Sequence, residues 1–275
     1  LRKPYLIQLI RTLFVTSLLL ATSACSKNTA QPITIYFSAA EKSSANPASF
    51  TLRQFKFYLH NVFLIDKQGK FIPARLNDSP PWQQSTGALI KLDQQGEQSN
   101  SQITVQPETS VSPDEIAGIQ FTLGLDFSTN HQNPLTAVSP FNVGSMYWSW
   151  QLGYKFMRLD FSLEDRHFNF HLGSTGCQSA SPMRPPTDHC ERPNLSTIQL
   201  LDFNPTTQHI QLDLSALLKL IPADTPNTHC TGNYQDNPVC AGFVTQLGLS
   251  ATTGQCIDQC QQQSFFNVNT ASAPQ

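Results

Sequence analysis

The sequence predicts an all-β protein, a β-sandwich or Greek-key barrel with one or two short helices and disulfide-stapled loops. Three observations carry this. Short segments alternate apolar and polar residues, the period of a strand with one buried face. Between them lie stretches rich in Asn, Gln, Ser, Thr and Pro, as between strands joined by turns, and the 19 Pro outnumber the 13 Gly. The 275 residues contain seven cysteines, six of them after Cys25, an even number that suits pairing.

The chain opens on a targeting segment. Arg2, Lys3 and Arg11 precede "LFVTSLLLATSAC", an apolar core too short to span a bilayer comfortably, with small residues before Cys25. The pattern resembles a bacterial lipoprotein signal in which Cys25 becomes the lipidated first residue. Thr22 stands where that signal usually has Leu. The alternative is an ordinary secretory signal with an incidental cysteine. Either reading exports the protein, and a lipidated Cys25 followed by Ser26 points to the periplasm and an outer-membrane anchor. The expected organisation is a signal peptide over 1–25, a polar tether over 26–31, one β-rich domain over 32–267 and a polar tail over 268–275.

Strands are expected at 33–37, at 55–66, after the "DKQGK" turn in "FIPARL", in "GALIKLD" and at 118–126. The stretch that follows, "FSTNHQNPLTAVSPFNVGS", is too polar and proline-broken for regular structure, and a loop of that length inside a domain is usually functional or disordered. Met146, Trp148, Trp150, Leu152, Tyr154 and Phe156 then alternate as one strand face, and the phase flips towards "FMRLDFSLED", as a bend near Gly153 would make it. "HFNFHLG" reads as a strand, "STIQLLDF" and "HIQLDL" as a hairpin. "DLSALLKLI" reads as a helix capped by Asp213, and "AGFVTQLGL" as a possible second helix.

Charge excludes some partners. The net charge is -2 and no basic stripe occurs, which argues against nucleic acid. No phosphate loop, Gly-x-Ser-x-Gly elbow or His-Glu-x-x-His is present, and nothing aligns a catalytic triad. An exported chain favours disulfides. Six cysteines allow fifteen connectivities in principle, and sequence proximity favours Cys177–Cys190, Cys230–Cys240 and Cys256–Cys260. The rival, a thiolate metal site, lacks any Cys-x2-Cys spacing.

Two of the three Trp, Trp148 and Trp150, lie one residue apart. Taken alone they are core, as aromatic stripes usually are. His167 and His171 are about 13 Å apart on a straight strand and cannot share one ion. His171, beside a Gly turn, is better placed for a site; His131 lies in the long loop and His60 mid-strand, while His189 and His229 each precede a cysteine in a loop. Each histidine alone reads as solvated or hydrogen-bonded. Two imidazoles beside electron-rich indoles in an exported disulfide protein suit copper better than zinc.

"FTLGLDFSTNH", "PFNVGSMYWSWQLGYKFMRLD" and "FNFHLGSTGC", with the later loop cysteines, resemble the MbnP-type proteins, also described as the four-Cys half of a metallo-mystery pair. The resemblance runs from about Ile33 to the C-terminus. It implies an exported copper-binding β-sandwich, with Cu(I) the expected ion, acting in copper acquisition or homeostasis. It also implies a partner, a dihaem cytochrome c peroxidase-like enzyme that oxidises a Trp of this protein to kynurenine, so the chain is a protein substrate and no enzyme. Carried over, Trp148 and Trp150 are the candidates for modification, and His131 and His171 the imidazole ligands with His60 a third. Cys177, Cys190, Cys230 and Cys240 match the four-Cys pattern, to which Cys256 and Cys260 are additional. Two other readings stand beside it: a structural or adhesive lipoprotein without a metal site, and an enzyme in its own right, which the missing catalytic motifs count against.

Overall fold

The computed structural model describes residues 30–40, 50–93 and 98–270. The expected signal peptide, Cys25 and residues 26–29 of the tether lie outside the described residues, as do residues 271–275.

β1 (Ile33–Ala40) buries Ile33, Ile35 and Phe37 and leaves the residues between them half-exposed, as strand alternation requires. β2 (Phe50–Asp66) is the spine, at 17 residues. An irregularity between His60 and Phe63, with Asn61 at a φ of 54°, bends it midway. β3 (Phe71–Leu76) returns beside its second half, while β4 (Gln83–Gln84) and β5 (Gly87–Lys91) form a hairpin that joins its first half. β6 (Gln102–Pro107) inserts between β3 and β1, a strand whose polar neighbours hide it in the sequence. β7 (Ile116–Leu123) pairs with the second half of β2.

After a short helix α1 (Phe127–Asn130) come two brief strands, β8 (Tyr147–Ser149) and β9 (Gly153–Tyr154), paired as a separate hairpin. β10 (Met157–Leu163) and β11 (Arg166–Leu172) then form a hairpin on the first half of β2. β12 (Ser196–Leu201) joins β7, and β13 (His209–Asp213) lies parallel to β1. Asp213 caps α2 (Leu214–Leu218) by accepting from the Ala216 N–H. β14 (Thr228–Cys230) runs parallel to β11, α3 (Pro238–Gln246) follows with Asn237 as its cap, and β15 (Phe266–Asn269) closes on β13.

The main sheet runs β14-β11-β10-β2-β3-β6-β1-β13-β15, with β7–β12 and β4–β5 branching from β2. The fold is all-β, a single curled sheet wrapped on an aromatic core. Phe37, Phe57, Phe121 and Phe266 meet edge to face with centroids 5.5–6.0 Å apart, and each buried ring stabilises by about 1.5–3 kcal/mol. The three local disulfides form as expected.

Three expectations change. The Trp stretch is no single strand: its alternation breaks at a turn over 150–152, and Gly153, at a φ of 76°, reverses the chain. β12 and β13 do not pair as a hairpin, because β7 and β1 offer each a partner inside the sheet. The last strand runs to Asn269, since β13 supplies pairing that the polar sequence did not announce. The polar loop after β7 packs against β2, where the buried Tyr58 donates its hydroxyl to the Pro140 carbonyl at 2.8 Å and its ring meets Phe141.

Candidate metal centre

Asp126 starts the site. Its carboxylate caps α1 by accepting from the Thr129 N–H at 3.0 Å and the Thr129 hydroxyl at 2.8 Å. The helix ends at two buried side chains, Asn130 and His131. Asn130 Oδ1 accepts the Tyr154 N–H at 2.8 Å, which fixes the helix end to the Trp hairpin. Gly153 is required there: a Cβ would strike the Asn130 carbonyl. Gln151, at the hairpin turn, donates to the Cys177 carbonyl at 2.9 Å. Helix end, hairpin and the Cys177–Cys190 loop therefore converge.

His131 occupies the junction. Its Nε2 lies 3.2 Å from Asn130 Nδ2 and 3.6 Å from Cys190 Sγ, and its ring packs on Phe127 with centroids 4.7 Å apart. Its Nδ1 is buried without a hydrogen-bond partner. The Trp150 carbonyl comes near enough to favour a ring proton without closing a well-formed bond, and burial outweighs it, holding the imidazole below its usual pKa and neutral. The possible ligand atoms of His131, Cys177 and Cys190 all lie within 4.8 Å of one another. The two sulfurs form a disulfide, so they offer no thiolate to a metal. With its proton on Nδ1, facing the Trp150 carbonyl, the neutral ring carries its lone pair on Nε2, the nitrogen a metal would take over from Asn130 Nδ2; the disulfide beside it acts as a wall.

His60 sits at the bend of β2. Its Nδ1 donates to the Gly124 carbonyl at 2.9 Å, which leaves the lone pair on Nε2. Burial lowers its pKa, against smaller opposing effects of that carbonyl and of Asp126. His60 and His131 are thus anchored to the two ends of one segment, residues 124–131.

His171 is placed differently. Its Nε2 lies 2.7 Å from Asp160 Oδ1, and neither His171 nor His60 joins the His131 cluster among the described residues. Burial would raise the Asp160 carboxyl, but hydrogen bonds from His171, Asn169 and Arg158 hold it at about 2. The structure ties His171 to β10 through a carboxylate that spacing could not reveal.

The indoles are both half-buried and have different neighbours. Trp148 lies against Gly173, where a Cβ would come 2.5 Å from its Cζ3, and lines a cavity of about 310 Å³ with Ser149, Leu152, Thr175, Thr231 and Gly232. Trp150 meets Tyr147 edge-on with centroids 6.3 Å apart. Asn130, Gln151 and Asp160 are site residues that sequence reading misses. The Asp126-Phe-Ser-Thr run signals the cap of α1; nothing in the sequence signals the other two.

No curated protein matches the chain. Among solved structures, the MbnP from Methylosinus trichosporium aligns with a TM-score of 0.73 at 20% identity, over 88% of this chain and 99% of that one, a likeness of fold. The MbnP family model matches residues 24–236, a span that holds α1, the Trp hairpin and the Cys177–Cys190 loop. The chain belongs to the MbnP family.

Proposed function

We propose that this chain is an exported copper-binding protein, lipid-anchored through Cys25, whose metal is held by His131 and His60 beside the Trp148/Trp150 hairpin. One observation carries the reading: the His131 Nδ1 is buried and unpartnered beside the Trp150 carbonyl. A ligated imidazole commonly gives its second N–H to a backbone carbonyl. Burial keeps both rings neutral, the state that binds metal. Few imidazole ligands without a flexible carboxylate favour Cu(I) over Ca²⁺ or Mg²⁺. His171, engaged by Asp160, is a support of the sheet in this reading.

One of the two indoles is converted to kynurenine by a dihaem peroxidase-like partner: two equivalents of peroxide cleave the indole C2–C3 bond, and water then releases C2 as formate. Ring opening turns a donor-only indole into an arylamine and a ketone, and the amine can then add a third ligand. Trp148 has an open cavity at its side, which supports access from outside. Copper handling, in acquisition or homeostasis, is the role this chemistry suits.

Copper titration of the purified protein tests the site. His131→Ala and His60→Ala should each lose most of the bound copper, and His171→Ala should keep it. Full stoichiometry and affinity in both His131→Ala and His60→Ala would leave the structural lipoprotein reading. Co-expression with the dihaem partner should change the mass of the hairpin peptide by one carbon lost and one oxygen gained, and Trp148→Phe and Trp150→Phe assign the residue.

A further inference from the structure

Pairing register sets Lys91 opposite Lys56, Lys56 opposite Arg158, and Arg158 opposite His171. Three basic side chains thus stand side by side on β5, β2 and β10. Like charges on directly opposed strand positions repel. Lys56 is only 8% exposed and Lys91 7%, so water screens them poorly. Lys155 adds a fourth cation from the hairpin exit, with its Nζ 2.9 Å from the Ser145 carbonyl; burial, then Arg158 and Lys56, push it down to about 8 despite Asp160.

Among the described residues, the carboxylates facing this row are Asp160 and Asp93. Asp160 is taken by Arg158, Asn169 and His171. Asp93 accepts the Phe55 N–H and lies 3.6 Å from Lys91. Lys56 Nζ bonds the neutral Gln54 Oε1 at 2.5 Å and is in no ion pair among the described residues. A Met at either lysine position would fill the space without desolvating a charge.

The row borders a cavity of about 350 Å³ whose walls are Lys56, Lys91, Trp82, Leu89, Gln98 and Val143. Two lysine side chains, an indole and two aliphatic side chains line one concave space, and Lys91 Nζ is steadied there by donating to the Gln98 carbonyl at 2.6 Å. A few convergent polar groups in an apolar pocket is the composition of a small-ligand site. We propose that this cavity binds a small planar carboxylate, the acid group on Lys56 and Lys91 and the flat body against Trp82. Nothing in this site draws on the copper ligands, so it can fail or hold independently of them.

Calorimetry on the mature, detergent-solubilised protein tests it with sodium benzoate as probe. Saturable one-to-one binding is expected below about 10 mM, a fragment-like affinity. Benzyl alcohol and acetate should each bind about tenfold weaker or more, lacking the charge or the ring. Lys56→Met and, separately, Lys91→Met should weaken benzoate by about tenfold with copper stoichiometry unchanged, so that a folding failure of one variant leaves the other to decide. Trp82→Ala should bring benzoate down to the level of acetate. No saturable benzoate binding, acetate binding as tight as benzoate, or wild-type affinity in the folded lysine variants overturns the proposal.

Discussion

Asn130 Oδ1 accepts the Tyr154 N–H at 2.8 Å while its Nδ2 lies 3.2 Å from His131 Nε2. Because Oδ1 faces an N–H donor, the amide orientation is fixed and Nδ2 must face the ring. One side chain therefore sets the distance between the Trp hairpin and the imidazole. Asn130→Ala should cost about 1–3 kcal/mol by leaving a buried donor unpaired. Urea unfolding measures that cost, and copper titration should show weaker binding at unchanged stoichiometry.

Gly153→Ala should be at least as damaging. The residue has a positive φ of 76°, and a Cβ meets the Asn130 backbone carbonyl. Strain of this kind costs about 1–3 kcal/mol before the clash is added. The denaturation midpoint should fall further than in a control Gly144→Ala, where nothing lies within 4 Å of the new methyl.

Lys155 makes stability depend on alkaline pH. Its folded-state pKa is pushed from the ordinary 10.5 to about 8, so between these values the unfolded chain binds more protons than the folded one. The penalty for burying the ammonium is complete below about 8 and is relieved as pH rises to about 10.5. Unfolding free energy of the wild type relative to Lys155→Met should therefore increase across that window. A pH-independent difference between the two would count against the buried charge.

Loss of the Cys177–Cys190 bridge should reach the site as well as the fold. A local bridge of this kind contributes about 2–4 kcal/mol. The double variant Cys177→Ser, Cys190→Ser removes the wall beside His131 Nε2 and loosens the loop that Gln151 holds. Both thermal midpoint and copper affinity should fall, whereas Cys256→Ser with Cys260→Ser should affect the midpoint alone.

Cys25→Ala should release the protein from membranes or block its processing, because the several acyl chains of a lipoprotein anchor where one chain does not. Membrane fractionation reads this directly. An unchanged membrane fraction would exclude lipidation at Cys25.

Alternation made β1, β2, β7 and β11 legible, since each buries one face against a continuous core and must repeat with period two. The cap signals of Asp213 and the short cysteine separations were equally local, and α2 and the three disulfides follow from them. The Trp stretch shows where such reasoning stops. Alternation over 146–156 arises from a hairpin whose two arms happen to continue the pattern across the turn, and only the docking of Asn130 on Gly153 distinguishes that from a strand.

By itself the sequence determined the all-β class, the local staples and the residue types available for a copper ligand, because strand period, loop closure and ligand chemistry depend on near neighbours. Tertiary structure alone decided which of those residues meet. His131 and Cys190 are 59 positions apart, and Lys91 reaches Lys56 only through pairing of β5 with β2. His171 turned to Asp160 for the same reason: strand register, set by burial of the whole sheet, chooses cross-strand neighbours that no spacing along the chain encodes.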